Sequence, residues 1–343
     1  MVRIRSLEPW TDPRGGQIER LLIDNGTLAI EVLSLGGIIR SLWAPDRDGE
    51  RANLVLGCDS AEGYLTQDAY LGAIVGRYAN RIANGQFNVG QTQYPLDTNQ
   101  DSNCLHGGRE GFHRQQWQLG TLPDGVRLSL RSPDGDMGFP GNCNVQLDYR
   151  LVGNNLYVEI LASSDKPCPI SLTQHSYFNL DASESSLDHQ LQVDATQYLE
   201  MNNVGIPSAI RQTHGSGLDL SLPTQLQSLI GREELTTTSG IDHCFLMPST
   251  ESKLQRFGSL SSPLSGRSMT LYTNQPGVQV YGGNGLEGVV GKNQHRLNQY
   301  QGVCLEPQQI PDAPNQPHIA GDALIAPGEI YHHISRYQFE NDA

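Results

Sequence analysis

Short stretches of apolar or alternating residues recur along the chain and are separated by turn-forming residues. Leu21-Leu22-Ile23 and residues 28–33 flank Asp24-Asn25-Gly26, a pattern typical of a β-hairpin. Breaks between later stretches contain Pro-Asp-Gly, at residues 123–125 and 133–135. The pattern predicts many antiparallel strands, which we place at residues 36–42, 126–130, 144–151, 156–161, 170–178, 187–193, 269–272, 277–281 and 331–334.

Helical periodicity is confined to two short segments. These are residues 60–65, with Asp59 or Ser60 as the candidate N-cap, and residues 224–229. The 37 glycines and 19 prolines mark turns, and no linker or change of composition divides the 343 residues. Because a β-sandwich can exceed the usual domain size of about 100–200 residues, we predict an all-β, single-domain β-sandwich over residues 1–343 with few short helices.

Composition and charge narrow the class of ligand. Hydrophobic residues make up 37% of the chain, and 37 acidic against 23 basic residues give a net charge of −14. Such a charge repels nucleic acid and anionic lipid, so we expect neither nucleic acid nor membrane as a partner and favour a neutral small molecule. The N-terminus has no signal-peptide pattern and no long apolar run occurs, so we predict a cytoplasmic protein.

The cysteines indicate neither a zinc site nor a redox motif, because they are scattered and form no C-x-x-C pair. We predict that they are free, buried thiols: Cys58, Cys104, Cys143, Cys168, Cys244 and Cys304.

One stretch, residues 302–315, carries the strongest signal of chemistry. Val303 and Leu305 alternate with Cys304 and Glu306, which predicts a strand whose carboxylate points away from the core. Pro307 and two further prolines predict that the strand ends at Glu306 and that a stiff loop follows. A carboxylate held in this way suits a catalytic base, and a solvated glutamate at the rim of a surface loop is the alternative.

Two glycine-containing stretches carry polar side chains suited to a sugar. In residues 76–87, Arg81 offers a planar fork of donors and Asn80 offers both a donor and an acceptor, which suits vicinal hydroxyls. In residues 103–108, His106 precedes paired glycines, where the backbone can turn sharply or let a ligand approach. Solvated turns are the alternative for both stretches.

Further polar residues fall on predicted strands. If residues 170–178 form one strand, Ser171, Thr173, His175 and Tyr177 share a face that could line a polar cleft or face solvent. Two other candidates are Asp242, which directly precedes an apolar run, and Gln279, which shares a strand face with Tyr281. Together these histidines, acids, arginine and amide are the inventory of a site for a polyhydroxylated ligand.

The chain resembles the aldose 1-epimerases, the mutarotases that act on galactose and glucose. The motifs that carry this resemblance run in the family's order from about residue 20 to the C-terminus, at residues 76–87, 103–108, 111–112, 117, 173–180, 242–243, 276–281 and 305–315. The resemblance implies a galactose mutarotase-like supersandwich that holds a free aldose in an open cleft. It further implies that the protein interconverts the α and β anomers of that sugar. We expect the protein to need no metal or other cofactor, since a paired acid and base suffice, and to be a monomer or homodimer.

The resemblance also implies roles for individual residues. Glu306 matches the base that takes the proton of the anomeric hydroxyl, and His175 matches the acid that protonates the ring oxygen. Gln174 and Gly282 stand where the family commonly has Asn and Thr, which bears on substrate preference. The residues implied to hold the sugar are Asn80, Arg81, His106, Asp242 and Gln279, with Tyr177 as a neighbour.

The chemistry of a hemiacetal agrees with these residue types. Ring opening removes a proton from O1 and delivers one to O5, so a paired base and acid suffice. The pairing of an ionised glutamate with a protonated histidine predicts a bell-shaped dependence of the rate on pH.

Four alternative functions remain open from the sequence. The first is a non-catalytic sugar-binding module, and the second is a glycoside hydrolase or lyase that uses Asp242 and Glu306. The third is a metal site formed by His106, His175 and a carboxylate. The fourth is a sugar-phosphate epimerase, which is disfavoured because the sequence has no basic cluster to hold a phosphate.

Overall fold

The computed structural model describes residues 2–248, 253–321 and 323–342, and strands dominate it. The strands are β1 (Arg3–Thr11), β2 (Gln17–Asp24), β3 (Ala29–Leu33), β4 (Ile39–Pro45), β5 (Arg51–Asn53), β6 (Ile74–Val75), β7 (Arg81–Ile82), β8 (Gln86–Val89), β9 (Thr92–Pro95), β10 (Cys104–Leu105), β11 (Gln118–Leu122), β12 (Gly125–Ser132), β13 (Cys143–Val152), β14 (Asn155–Ser164), β15 (Cys168–Pro169), β16 (Thr173–Gln174), β17 (Tyr177–Phe178), β18 (Gln190–Val193), β19 (Gln197–Met201), β20 (Pro207–Gln212), β21 (Thr224–Gln225), β22 (Asp242–Leu246), β23 (Gln255–Ser261), β24 (Arg267–Thr273), β25 (Gly277–Tyr281), β26 (Val303–Gln308), β27 (Leu324–Ile325) and β28 (Tyr331–Asn341).

Helices are short. The α-helices are α1 (Ala61–Leu65) and α2 (Pro317–Ala320), and 3-10 turns span Ala83–Gly85, Phe112–Arg114, Asp136–Gly138, Leu226–Leu229, Glu233–Leu235, Lys292–Gln294 and Ala313–Asn315. Within the described ranges, no helix has the length and apolar character needed to cross a membrane.

Three antiparallel sheets carry the architecture. An N-terminal sheet joins β1 to β5 in chain order, and a large sheet has the order β11-β12-β13-β14-β28-β24-β23-β18-β21. A third sheet, which we call the cleft sheet, has the order β17-β26-β25-β22-β19-β20. Short pairs join β7 to β10, β6 to β16, β15 to β27 and β8 to β9. The prediction of an all-β sandwich with few short helices is therefore confirmed.

The core lies between the inner faces of these sheets. Along β14 every second residue is buried, as the two-residue period of a strand requires when one face packs inward. One hydrophobic cluster runs through the sheets from Leu21 near the N-terminus to Phe339 in the last strand. The six cysteines are free and buried, as predicted.

Some of the local sequence signals predicted the turns and helices correctly, and others did not. The hairpin predicted around residues 24–26 is present as β2 and β3, and Ser60 caps α1 by accepting a hydrogen bond from the Gly63 amide at 3.1 Å. The helix predicted at residues 224–229 is wrong at its first two residues, where Thr224 and Gln225 pair with β18. Only Leu226–Leu229 forms a 3-10 turn.

The predicted end of the strand at Glu306 is also wrong. β26 continues through Pro307 to Gln308 and pairs there with Val278 and Gly277 of β25. Proline is tolerated because the neighbouring strand β17 pairs only with Val303 and Cys304. At Pro307, β26 pairs with β25 on one edge, and β17 does not reach the other edge, where an amide hydrogen would be needed.

Residues 170–178 do not form the single strand that we predicted. They contain β16 and β17, each of two residues, with His175 in the break between them. The His175 amide instead donates to the Ala73 carbonyl at 2.8 Å, and the His175 carbonyl accepts from the Gly72 amide at 2.9 Å. The shared polar face was therefore wrong for Ser171 and Thr173, which are fully buried.

Candidate active site

The eight residues predicted for the site line one cavity of about 360 Å³. This volume lies at the small end of the range of about 300–1,000 Å³ that is usual for small-molecule sites. The walls come from the cleft sheet on one side and from the β7–β10 pair on the other. The predicted residues in its lining are Asn80, Arg81, His106, His175, Tyr177, Asp242, Gln279 and Glu306.

The register of the cleft sheet explains the polar wall. Gln279 of β25 lies opposite Glu306 of β26, and Tyr281 lies between Asp242 of β22 and Cys304 of β26. Because side chains alternate along a strand, these residues share one face of the sheet. The opposite face carries Val278, Val280 and Leu305, which are buried in the hydrophobic core. The alternation of apolar and polar residues in the sequence thus places the carboxylates and the amide in the cavity.

The facing wall is built on two residues with left-handed backbone conformations. Asn80 has φ +65° and His106 has φ +51°, and the His106 amide donates to the Asn80 carbonyl at 3.0 Å. The Asn80 amide donates in return to His106 Nδ1 at 3.1 Å. At Gly107 a Cβ atom would lie 2.0 Å from the Gly76 carbonyl oxygen, so the glycine allows two backbone segments to touch.

The lone pair on His106 Nδ1 fixes the tautomer of that ring. A neutral imidazole has one N–H, and Nδ1 accepts from Asn80, so Nε2 carries the hydrogen. Burial, together with the charges of neighbouring His175 and Arg81, lowers the pKa of His106 well below its ordinary value. His106 is therefore a neutral hydrogen-bond donor.

Two further contacts orient the polar groups around the cavity. Arg81 donates from Nε to Gln100 Oε1 at 2.6 Å, and Gln279 donates from Nε2 to Asp242 Oδ1 at 2.6 Å. The Gln279 Oε1 atom is buried and has no donor within the described part of the chain. This oxygen is a free acceptor for a ligand hydroxyl.

Glu306 and His175 form the central pair. His175 Nε2 lies 3.6 Å from Glu306 Oε2, and both side chains are buried. That carboxylate oxygen accepts no hydrogen bond from any described residue. The His175 ring packs among other rings, with centroid distances of 5.3 Å to His106, 5.1 Å to Tyr177 and 5.7 Å to Tyr70.

Burial sets the electrostatics of this pair. It raises the pKa of Glu306 well above its ordinary value, and the negative charge of Asp242 adds to the rise while Arg81 opposes it. Burial also lowers the pKa of His175 to about 4. Both shifts favour the uncharged form of each group, so the pair shares one proton over a wide range of pH.

Two histidines and a carboxylate lie close enough together to suggest a metal site, but their donor atoms do not fit a metal ion. One ligand atom each from His106, His175 and Glu306 lies within 4.8 Å of the others. His106 is the obstacle, because its Nδ1 lone pair is used by the Asn80 amide and its Nε2 carries a hydrogen. Neither nitrogen of His106 offers a lone pair to a cation without breaking that contact. The metal-site alternative therefore fails on the chemistry of its donors.

Several residues of the cavity escaped the sequence analysis. Tyr281 had a signal, since it shares a strand face with Gln279, but we did not place it in the site. Asp68, Tyr70 and Gln100 lie in loops, where no periodicity marks a side chain as directed inward.

The two departures from the family pattern lie outside the cavity lining. The Gln174 side chain donates to the Gly72 carbonyl at 3.0 Å and to Ser176 Oγ at 2.8 Å, and Gly282 packs near Ile241. Neither Gln174 nor Gly282 lines the cavity, so neither is placed to contact a sugar and to change substrate preference directly.

Comparisons with known proteins show the family to which the chain belongs. The family profile described as aldose 1-epimerase matches residues 19–338. Human galactose mutarotase is 38% identical over 329 residues, covering 95% of both chains, and the aldose 1-epimerase of Escherichia coli K12 is 35% identical over 332 residues, covering 94% of this chain and 96% of its own.

Solved structures show the same relationship. An aldose epimerase homologue from C. elegans superposes with a TM-score of 0.86 at 28% identity, covering 93% of this chain and 97% of its own. Galactose 1-epimerase from Lactobacillus acidophilus NCFM gives a TM-score of 0.83 at 25% identity, covering 100% and 99%. With a family profile and relatives that extend over nearly the whole length, the chain belongs to the aldose 1-epimerase family.

Proposed function

We propose that this protein is an aldose 1-epimerase that interconverts the α and β anomers of a free hexose such as galactose or glucose. The observation that carries the proposal is the buried Glu306–His175 pair, 3.6 Å apart, in a cavity otherwise lined by hydrogen-bonding side chains. Glu306 acts as the base at O1 and His175 as the acid at O5. The residues that hold the sugar hydroxyls are Asn80, Arg81, His106, Asp242 and Gln279, with Tyr177 beside the ring.

The reaction moves one proton into the pair and one out of it. Glu306 takes the proton from the anomeric hydroxyl while His175 gives its Nε2 proton to the ring oxygen, and the C1–O5 bond breaks. This leaves an open-chain aldehyde, a protonated Glu306 and a neutral His175. Rotation about C1–C2 presents the other face of the carbonyl, and reclosure returns both protons. The low basicity of the buried imidazole makes its protonated form a strong acid, which suits the weakly basic ring oxygen.

We also propose the type of partner, the cellular location and the domain and subunit organisation of the protein. The charge of −14 supports a neutral sugar rather than nucleic acid or an anionic membrane surface as the partner. Six free cysteines fit the reducing cytoplasm. We also propose that residues 1–343 form one domain, supported by the continuous hydrophobic cluster, and that the protein works as a monomer or homodimer.

Polarimetry of freshly dissolved α-D-glucose and α-D-galactose tests the function. We expect the protein to accelerate the decay to the equilibrium rotation, and the two rates rank the sugars. Lactose serves as a second substrate, since release of free glucose would show a glycoside hydrolase instead. If neither hexose responds, calorimetric binding of the sugars would favour the non-catalytic binding module.

The pH dependence should respond in opposite directions to two neighbouring charges. The reaction requires one proton on the Glu306–His175 pair. The rate therefore falls at low pH, where both groups are protonated, and at high pH, above the raised pKa of Glu306, where neither group carries that proton. Asp242→Asn removes a charge that raises this pKa, so the alkaline limb should move to lower pH. Arg81→Gln removes a charge that lowers it, so the limb should move to higher pH.

The measurement is kcat/KM for anomer exchange by NMR between about pH 4 and 10, corrected for the spontaneous rate. Both variants should also weaken sugar binding, but only the position of the limb has opposite signs. Limbs that stay in place, or move together, would contradict the proposed pair.

A further inference from the structure

The two nitrogens of the His175 ring face different partners. Nε2 lies 3.6 Å from Glu306 Oε2 in the cavity, and Nδ1 lies 3.5 Å from the sulfur of Cys304 on the other side of the ring. Both the histidine and the cysteine are buried. The thiol is thus a hydrogen-bond partner behind the nitrogen that does not face the sugar.

Cys304 is held in this position by the register of the cleft sheet. It lies between Tyr177 of β17 and Tyr281 of β25, two residues before Glu306 on the same strand face. Burial, then the charges of Glu306 and Asp242, raise the pKa of the thiol well above its ordinary value. The sulfur is therefore uncharged at neutral pH.

The proposed reaction restricts which nitrogen of His175 carries hydrogen. Its proton leaves from and returns to Nε2, the nitrogen on the Glu306 side. In the neutral ring between these steps, the one remaining N–H must be on Nδ1, and a buried N–H needs an acceptor. Among the described residues, the Cys304 sulfur is the side-chain atom in hydrogen-bond contact with Nδ1.

We propose that Cys304 is a positioning residue that accepts the Nδ1–H of His175 and so keeps Nε2 turned to the sugar ring oxygen. This inference rests on the proposed function. It also separates the two histidines of the cavity: His106 has its hydrogen on Nε2, set by the Asn80 amide, and acts as a fixed donor. His175 has the opposite tautomer and can exchange its Nε2 proton.

A thiol in this place differs from the usual carboxylate or carbonyl partner of a catalytic histidine. A carboxylate would stabilise the imidazolium and make it a weaker acid, whereas a neutral sulfur is a weak acceptor and stabilises it little. Other titratable groups around the ring are Glu306 at 3.6 Å and the neighbouring rings of Tyr70, His106 and Tyr177. Burial raises the pKa of Tyr70 and of Tyr177, so both phenols stay uncharged at neutral pH and Glu306 is the nearby group that can supply a negative charge.

Nitrogen NMR of the ¹⁵N-histidine-labelled protein, combined with three cysteine variants, tests the inference. The His175 signals are identified by their loss in His175→Gln. At neutral pH we expect a protonated Nδ1 and an unprotonated Nε2 for His175, and the reverse for His106. Cys304→Ala should mix the His175 tautomers and lower kcat about three- to tenfold with KM unchanged. Cys304→Ser, which keeps an acceptor, should retain both the tautomer and the rate.

The matched control is Cys143→Ala, which makes the same change at a buried thiol of the large sheet. It should alter neither the His175 signals nor kcat. A proton on Nε2 of neutral His175 in the unmodified protein would overturn the inference, as would a Cys304→Ala variant that keeps both tautomer and rate. The nitrogen shifts are read on the free protein, so they decide the tautomer even if neither hexose is a substrate.

Discussion

Glu306→Gln is expected to lower kcat for anomer exchange by about 10²- to 10⁴-fold while KM changes little. The amide has nearly the shape of the carboxylate but cannot take the proton from O1. Loss of the base should therefore appear in the chemical step and leave sugar binding largely intact. Exchange between the α and β signals of galactose, measured by NMR at anomeric equilibrium, gives both parameters.

The stability of the same variant separates a catalytic role from a structural one. Glu306 is buried, and its Oε2 atom has no hydrogen-bond donor in the described chain, so its charged form is costly to the fold. The neutral amide should leave the melting temperature unchanged or raise it. Glu159→Gln, which makes the same change at a partly exposed glutamate 2.9 Å from His332 Nε2 in the large sheet, is the control and should retain full activity. A Glu306→Gln variant with more than about a tenth of the activity would remove Glu306 from the mechanism.

The part of the site on regular strands was predictable from the sequence. In residues 277–281 and 303–306, polar and apolar residues alternate, and burial of Val278, Val280 and Leu305 fixes the opposite face toward the cavity. A one-residue shift of either strand would bury Gln279 or Glu306 in the hydrophobic core. The hydrophobic pattern therefore specifies both the sheet and the direction in which its candidate functional side chains point.

The remainder of the site depends on contacts that leave no local pattern. His175 lies where two short strands break, and its backbone pairs with residues 72 and 73, about a hundred positions earlier. Tyr70 and Gln100 reach the cavity from loops, and their positions depend on which other segments they pack against. The extent of β26 could not be predicted either, because tolerance of Pro307 depends on how far the neighbouring strand β17 reaches.

The two histidines of the cavity should fail in different ways when each is replaced by glutamine. His175→Gln removes the group that we propose gives and takes a proton at the ring oxygen, so kcat should fall by about 10²- to 10⁴-fold. His106 is a fixed neutral donor, so His106→Gln should act mainly on KM, by about tenfold for one lost hydrogen bond to the sugar. Anomer-exchange NMR across a range of galactose concentrations separates the two parameters.

The double variant shows whether His175 and Glu306 act as one unit. In a concerted exchange of protons at O1 and O5, either single loss already stops the coupled transfer. The variant with both Glu306→Gln and His175→Gln should then be about as slow as the slower single variant, rather than showing the product of the two losses. If the fold-losses in kcat of the two single variants multiply in the double variant, the base and the acid act in separate steps. The 3.6 Å contact between the two side chains would then have no part in coupling them. Equal falls in kcat for His106→Gln and His175→Gln would contradict the division of roles, in which the Asn80 amide fixes the tautomer of His106 while His175 Nε2 lies 3.6 Å from Glu306 Oε2.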